Sequence, residues 1–149
     1  MTAEEILAYI QSKEGQNAAR EFLSGAQRID AMVALKLARA DQLRARARQL
    51  PALDAEAQQA LREMEDEILA DYNVLLKRQK QIGDAIRRVP EEVSRAVLES
   101  RYLQGLPFFR IAMNLNYDER QIYRYHQRGL QHIAGQLAAK MIPDFFSDP

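Results

Sequence analysis

The chain has 149 residues, no cysteine, 47% hydrophobic and 28% charged residues, and a formal net charge of zero. That length fits one domain, or a small domain with a helical extension, and can bury a core without covalent staples. The missing thiols exclude disulfides, thiol nucleophiles and zinc–thiolate sites.

No apolar run approaches the ~20 residues of a membrane span. The opening Met1-Thr2-Ala3-Glu4-Glu5 lacks the basic region and apolar stretch of a signal peptide, so a cytoplasmic location and no membrane partner are expected. Charge is uneven along the chain. Residues 1–85 hold 12 Lys/Arg against 14 Asp/Glu, and residues 86–149 hold 9 against 7. This modest C-terminal excess would make binding through phosphates alone weak.

The pattern predicts an all-α protein: an antiparallel hairpin of long helices followed by a trihelical helix-turn-helix. No stretch alternates with period two for long, and Pro51, Pro90 and Pro107 cut the chain into helical blocks. The expected divisions are an N-terminal helix over 1–25, the hairpin over 26–89, a helix-turn-helix domain over 90–140 and a tail over 141–149.

Residues 3–23 read as a first helix ended by Ser24-Gly25, and 26–50 as a second ended by Pro51. In the second, Ile29, Lys36, Leu43 and Leu50 recur every seven residues, with Val33, Ala40 and Ala47 four residues after the first three. Arg39, Arg44, Arg46 and Arg48 read as a solvated face, with a second phosphate-contacting surface as the alternative. Asp54 is placed to cap the third helix, about 54–88.

On that third helix Leu61, Ile68, Leu75, Ile82 and Val89 keep heptad spacing, with Tyr72, Gln79 and Ile86 in the second seam position. The short link at Pro51 predicts antiparallel helices. The stripe has more apolar length than a partner helix of ~25 residues covers, so a homodimer through the long helices is expected.

Val89-Pro90 breaks the third helix. A helix over about 91–103 is predicted next, with Gly105 as its stop. Pro107 opens a short helix from Phe108 to about Asn114, and Leu115-Asn116-Tyr117 form a turn. Asp118-x-x-Gln121 resembles a capping box for a last helix reaching about Lys140.

This is the plan of a trihelical helix-turn-helix. Its predicted core is Phe108, Ile111, Ala112, Leu115, Tyr117, Ile122, His126 and Leu130, with small Ala112 at the helix crossing. On the last helix Ile122, Tyr125, His126, Gly129, Leu130, Ile133 and Leu137 share one face, and Arg120, Arg124, Gln127 and Gln131 lie opposite.

Arg reads guanine N7 and O6, and Gln reads adenine N6 and N7. Arg120, Gln121, Tyr123 and Arg124 are therefore the base-reading candidates, and Arg110 and Arg128 the phosphate candidates.

Arg101-Tyr102-Leu103-x-Gly105, Ile111-Ala112, Tyr117, Ile122, Arg124-x-His126-x-Arg128 and Leu130 resemble the C-terminal signature of small phage and prophage proteins. Upstream, Ala19 to Leu23, Arg28-Ile29-Asp30, Met64-x-x-Glu67-Ile68 and Leu75-x-Lys77 through Ile82 and Val89 are similar to the helical half of the same family. Its last domain is like region 4 of sigma factors, and it includes late-gene transcriptional activators of the RinA and ArpU kind. Pro107, Phe109-Arg110 and Asp118 depart from the family's usual residues. The resemblance implies duplex DNA binding and transcription control alongside bacterial RNA polymerase.

An enzyme, a cofactor and a small-molecule substrate are not expected. There is no Gly-rich phosphate loop, nucleophile–base pair or zinc spacing. His126 and His132 are six residues apart, which turns them away from each other on a helix. Glu63, Glu65, Asp66 and Glu67 read as a solvated face. Phe145-Phe146 reads as a packing plug or a docking peptide. Two rivals to a transcription regulator are a DNA-packaging subunit like a small terminase, and a sigma-like polymerase-docking protein that never touches DNA.

Overall fold

The computed structural model describes residues 2–49 and 55–142. Expectations for Leu50, Pro51, Asp54 and Phe145-Phe146 lie outside these residues. Every described element is helical: α1 (Ala3–Gln11), α2 (Lys13–Gln49), α3 (Ala55–Arg87), α4 (Glu92–Leu98) continued by a π-helical turn (Glu99–Leu103), α5 (Phe108–Leu115) and α6 (Glu119–Ala138). None of them is long and apolar enough to cross a membrane. The chain divides into two compact units, one of residues 1–27 and 78–149, the other of residues 28–77.

The first break in the chain corrects the sequence reading. It falls at Ser12, and α2 runs through Ser24-Gly25 without interruption. The Ser12 hydroxyl donates to the Tyr9 carbonyl at 2.6 Å and accepts from the Gly15 N–H at 3.0 Å, so one side chain closes α1 and opens α2. A mid-helix Gly costs about 1 kcal/mol relative to Ala. Burying Phe22, Leu23 and Ala26 around Gly25 outweighs that. At the other end of α1, Thr2 and Glu5 form a reciprocal capping box.

In the unit of residues 28–77, Val33 and Ala40 of α2 and Ile68 and Leu75 of α3 are buried, with Ile29, Leu43 and Leu61 half-buried beside them. Lys36, a charged interruption in the stripe, sends Nζ to Glu67 Oε1 and Asp71 Oδ2, both at 2.6 Å. The bond to Asp71, then that to Glu67, raises the Lys36 pKa above its ordinary value. Arg44 bonds Glu65 at 3.1 Å, so partners fall in number along α3 as α2 advances.

The apolar surplus expected along α3 is smaller than its spacing suggested, because Ile68, Leu75 and Ile82 are already buried within one copy. Of the second seam, Ile86 is buried while Tyr72 and Gln79 are exposed.

In the other unit α1, α4 and α5 pack on α6. The helix predicted over 91–103 is α-helical only to Leu98. The Gln104 N–H then reaches back to the Glu99 carbonyl, the wider spacing of a π turn. Gly105 at φ 73° turns the chain out of it, and the Leu106 N–H closes on the Ser100 carbonyl. α5 starts at Pro107 without a side-chain cap. It ends at Asn116 in the left-handed conformation (φ 60°, ψ 42°), which short polar side chains tolerate.

Candidate nucleic-acid interface

α6 is built from its first residue outward. The Asp118 carboxylate accepts from the Gln121 N–H at 2.8 Å, and Gln121 Oε1 accepts from the Asp118 N–H at 3.3 Å. With Glu119 in the first turn, this satisfies and complements the positive end of the helix. One face of α6 then buries Ile122, His126, Gly129, Leu130 and Ile133. Ile122 joins Val97, Ile111 and Ala112 in a cluster edged by Phe108, Leu115, Tyr117 and Tyr125. α4 and α6 approach closely at Gly129, where a Cβ would lie 2.9 Å from Leu98 Cγ and Cδ1.

Polar side chains also fasten α6 to its neighbours. Buried Ser94 Oγ lies 2.8 Å from Glu91 Oε1 and 2.9 Å from the Tyr125 carbonyl, with one proton to share between them. Buried Gln136 donates to the Ala85 carbonyl at 2.9 Å and accepts from Arg88 at 3.3 Å. The Ser94–Tyr125 and Gln136–Ala85 contacts join different elements, so helical periodicity does not suggest them.

His126 sits at the junction of three elements. Its Nε2 is 2.8 Å from the Tyr102 hydroxyl, and the Phe108 ring meets it edge-on at 4.9 Å between centroids. Burial, aided by the charges of Arg20 and Arg101, lowers the His126 pKa to about 4. Burial raises that of Tyr102, with the same two arginines opposing. A neutral imidazole and a protonated phenol follow, so the pair shares a single hydrogen bond between two uncharged groups. Arg101 covers the outer side of Phe108, its guanidinium carbon 4.5 Å from the ring centre, and bonds the Leu106 carbonyl at 3.2 Å.

The base-reading candidates divide. Arg120 and Arg124 are exposed in the first two turns of α6 and make no hydrogen bond or ion pair among the described residues. Gln121 is exposed, but its side-chain carbonyl is committed to the cap. Tyr123 is half-exposed, with its ring 4.6 Å from that of Phe108.

The phosphate candidates also differ. Arg110 is exposed on α5 without a partner among the described residues. Arg128 lies 3.3 Å from Glu91 Oε2 and 5.3 Å from the centre of the Tyr125 ring. Its charge is therefore already answered within the chain. Of the core candidates, Ile111, Ala112, Ile122, His126 and Leu130 are buried, whereas Phe108, Leu115 and Tyr117 are half-buried at the rim. Tyr117 packs edge-on against Tyr125 at 5.3 Å.

Comparison with protein-family models, with curated proteins and with solved structures finds no match for this chain.

Proposed function

We propose that this protein binds duplex DNA through α5 and α6 used as a helix-turn-helix, with α6 as the reading helix. The observation that carries this reading is the pair Arg120 and Arg124. Two arginines stand one turn apart at the start of a capped, well-buried helix, exposed and without an intrachain partner among the described residues. Guanidinium groups held in solvent at that place suit guanine edges in a major groove.

The resemblance to sigma-region-4-like phage and prophage regulators extends the reading to a transcription activator working beside host RNA polymerase. Residues 26–89 serve as an antiparallel helical hairpin, and two copies act together. The test is selection of duplexes from a random pool by the full chain, followed by sequencing. A recovered motif of several base pairs supports the reading. An unenriched pool with no retained duplex overturns it.

A second reading, the polymerase-docking protein, draws on Phe109 and Met113. They are one turn apart on α5 and 53% and 68% exposed, an apolar pair that a protein partner would cover. Retention of polymerase by a chain that retains no duplex would favour it.

A further inference from the structure

Three large apolar side chains on α3 face solvent together: Leu69, Tyr72 and Leu76, at 63%, 39% and 60% exposure. Offsets of three and four residues put them on one stripe about 10 Å long. The stripe is distinct from that of Ile68 and Leu75, which are buried. Isolated exposed leucines need no explanation, but an aligned group with a tyrosine at its centre is the composition of an interface core.

The flanks of the stripe carry charges of opposite sign at equal distances from its centre. Leu69 and Leu76 are symmetric about the point between Tyr72 and Asn73, and so are Glu65 and Lys80. α3 is one uninterrupted helix through all of these positions. A second helix of the same sequence laid antiparallel about that point brings Leu69 onto Leu76 of its partner, the two central tyrosines together, and Glu65 onto Lys80 at both ends. A parallel copy would instead set Glu65 on Glu65 and Lys80 on Lys80. The charge order thus selects the antiparallel arrangement, the self-complementary kind that a two-fold axis generates.

Both charges have capacity for such a pair. Glu65 receives Arg44 on one oxygen only, and Lys80, 80% exposed, has a loose 3.6 Å contact to Asp84.

We propose that a second copy of this chain docks antiparallel along α3 on the stripe Leu69, Tyr72 and Leu76, with Glu65 of each copy paired to Lys80 of the other. This deepens the two-copy part of the proposed function and rests on it, while placing the seam on a stripe that shares Tyr72 alone with the one the heptad spacing suggested.

The experiment measures the mass of the full chain by sedimentation equilibrium without DNA, and duplex retention separately. The wild-type chain is expected to be a dimer at ~50 µM, the range of a small interface. Leu69→Glu with Leu76→Glu should give a monomer with unchanged helical circular dichroism, because neither leucine is part of the core of a single copy. Each of Glu65→Lys and Lys80→Glu alone should raise the dimer Kd about tenfold, since each sets like charges together at both ends of the seam.

The double reversal should return Kd close to wild type. That recovery cannot come from Arg44, which the reversed position 65 would repel. A wild-type monomer up to ~100 µM, a mass above two copies, or a double reversal as weak as the singles overturns the seam. If the leucine variants unfold, the charge reversals still decide. A monomer that retains duplex DNA sinks the seam and leaves the DNA reading standing, whereas a dimer that retains none does the opposite.

Discussion

The Tyr102 hydroxyl and His126 Nε2 meet at 2.8 Å inside the packing of the π turn against α6. The imidazole is held neutral there, because the loss of water, and then the charges of Arg20 and Arg101, disfavour its proton. The folded pKa, about 4, lies below the ordinary value of 6.5. Above pH 6.5 the histidine is neutral folded or unfolded and contributes no pH dependence. Between pH 6.5 and about 4 only the unfolded chain takes the proton, so stability falls as pH falls, and the loss levels off below the folded pKa. The expected total is about 3 kcal/mol. Urea unfolding of wild type and His126→Gln from pH 7.5 to 4 measures it. The variant should lose that part of the slope, and an unchanged slope would put the buried proton elsewhere.

Gly129 is a packing residue within a helix. Alanine there gains up to about 1 kcal/mol of helix propensity. It also drives a methyl to 2.9 Å from Cγ of fully buried Leu98, a branch point that cannot swing away. Overpacking of this kind costs about 1–3 kcal/mol, so Gly129→Ala should be net destabilising. A double-mutant cycle with Leu98→Ala isolates the clash: the alanine at 129 should cost much less beside the smaller residue. Additive effects would show that the two helices separate freely at this point.

Ala112 is buried with Val97, Ile111 and Ile122. Ala112→Leu adds three carbons to that cluster and should lower unfolding free energy by about 1–3 kcal/mol. On the proposed function it should also abolish duplex binding at temperatures where the chain stays folded, by tilting α5 away from α6. A variant with wild-type binding would mean that the angle between α5 and α6 does not govern recognition.

Local chemistry carried most of what the sequence made legible. The Asp118–Gln121 box, the turn after α5 and the Gly105 stop are each written within three or four consecutive residues. The buried face of α6 follows from its 3.6-residue period. What was hidden depends on partners far along the chain. Ser24-Gly25 looks like a helix end until the burial of Phe22, Leu23 and Ala26 is counted. The π turn, which leaves Tyr102 buried opposite His126, has no residue signature of its own. The engagement of Arg128 by Glu91 joins residues 37 positions apart, and nothing in the helical pattern distinguishes it from Arg124. Gln121 illustrates a conflict legible in principle: the spacing that makes it a good cap commits the carbonyl a base reader would use.

The candidate interface predicts different behaviour for its arginines. Arg120 and Arg124 have no intrachain partner among the described residues, so truncation removes nothing from the fold and reports on DNA alone. Arg120→Ala or Arg124→Ala should cost about 1–3 kcal/mol on a selected duplex and little on a scrambled one, the signature of base contacts. Arg128 is held by Glu91 at 3.3 Å. If it also meets a phosphate, Arg128→Ala should weaken both duplexes equally, and the salt dependence should flatten by less than the roughly one unit of slope that a bare cation contributes. Glu91→Gln should act in the opposite direction, strengthening both duplexes and steepening the slope, because Arg128 keeps its place over Tyr125 and loses its competitor. Fluorescence anisotropy across a salt series, with both duplexes and all four variants, separates the cases. Equal losses on the two duplexes for Arg120 and Arg124 would make the protein a sequence-blind binder. No loss for any arginine would turn this face toward a protein partner and promote the docking surface at Phe109 and Met113.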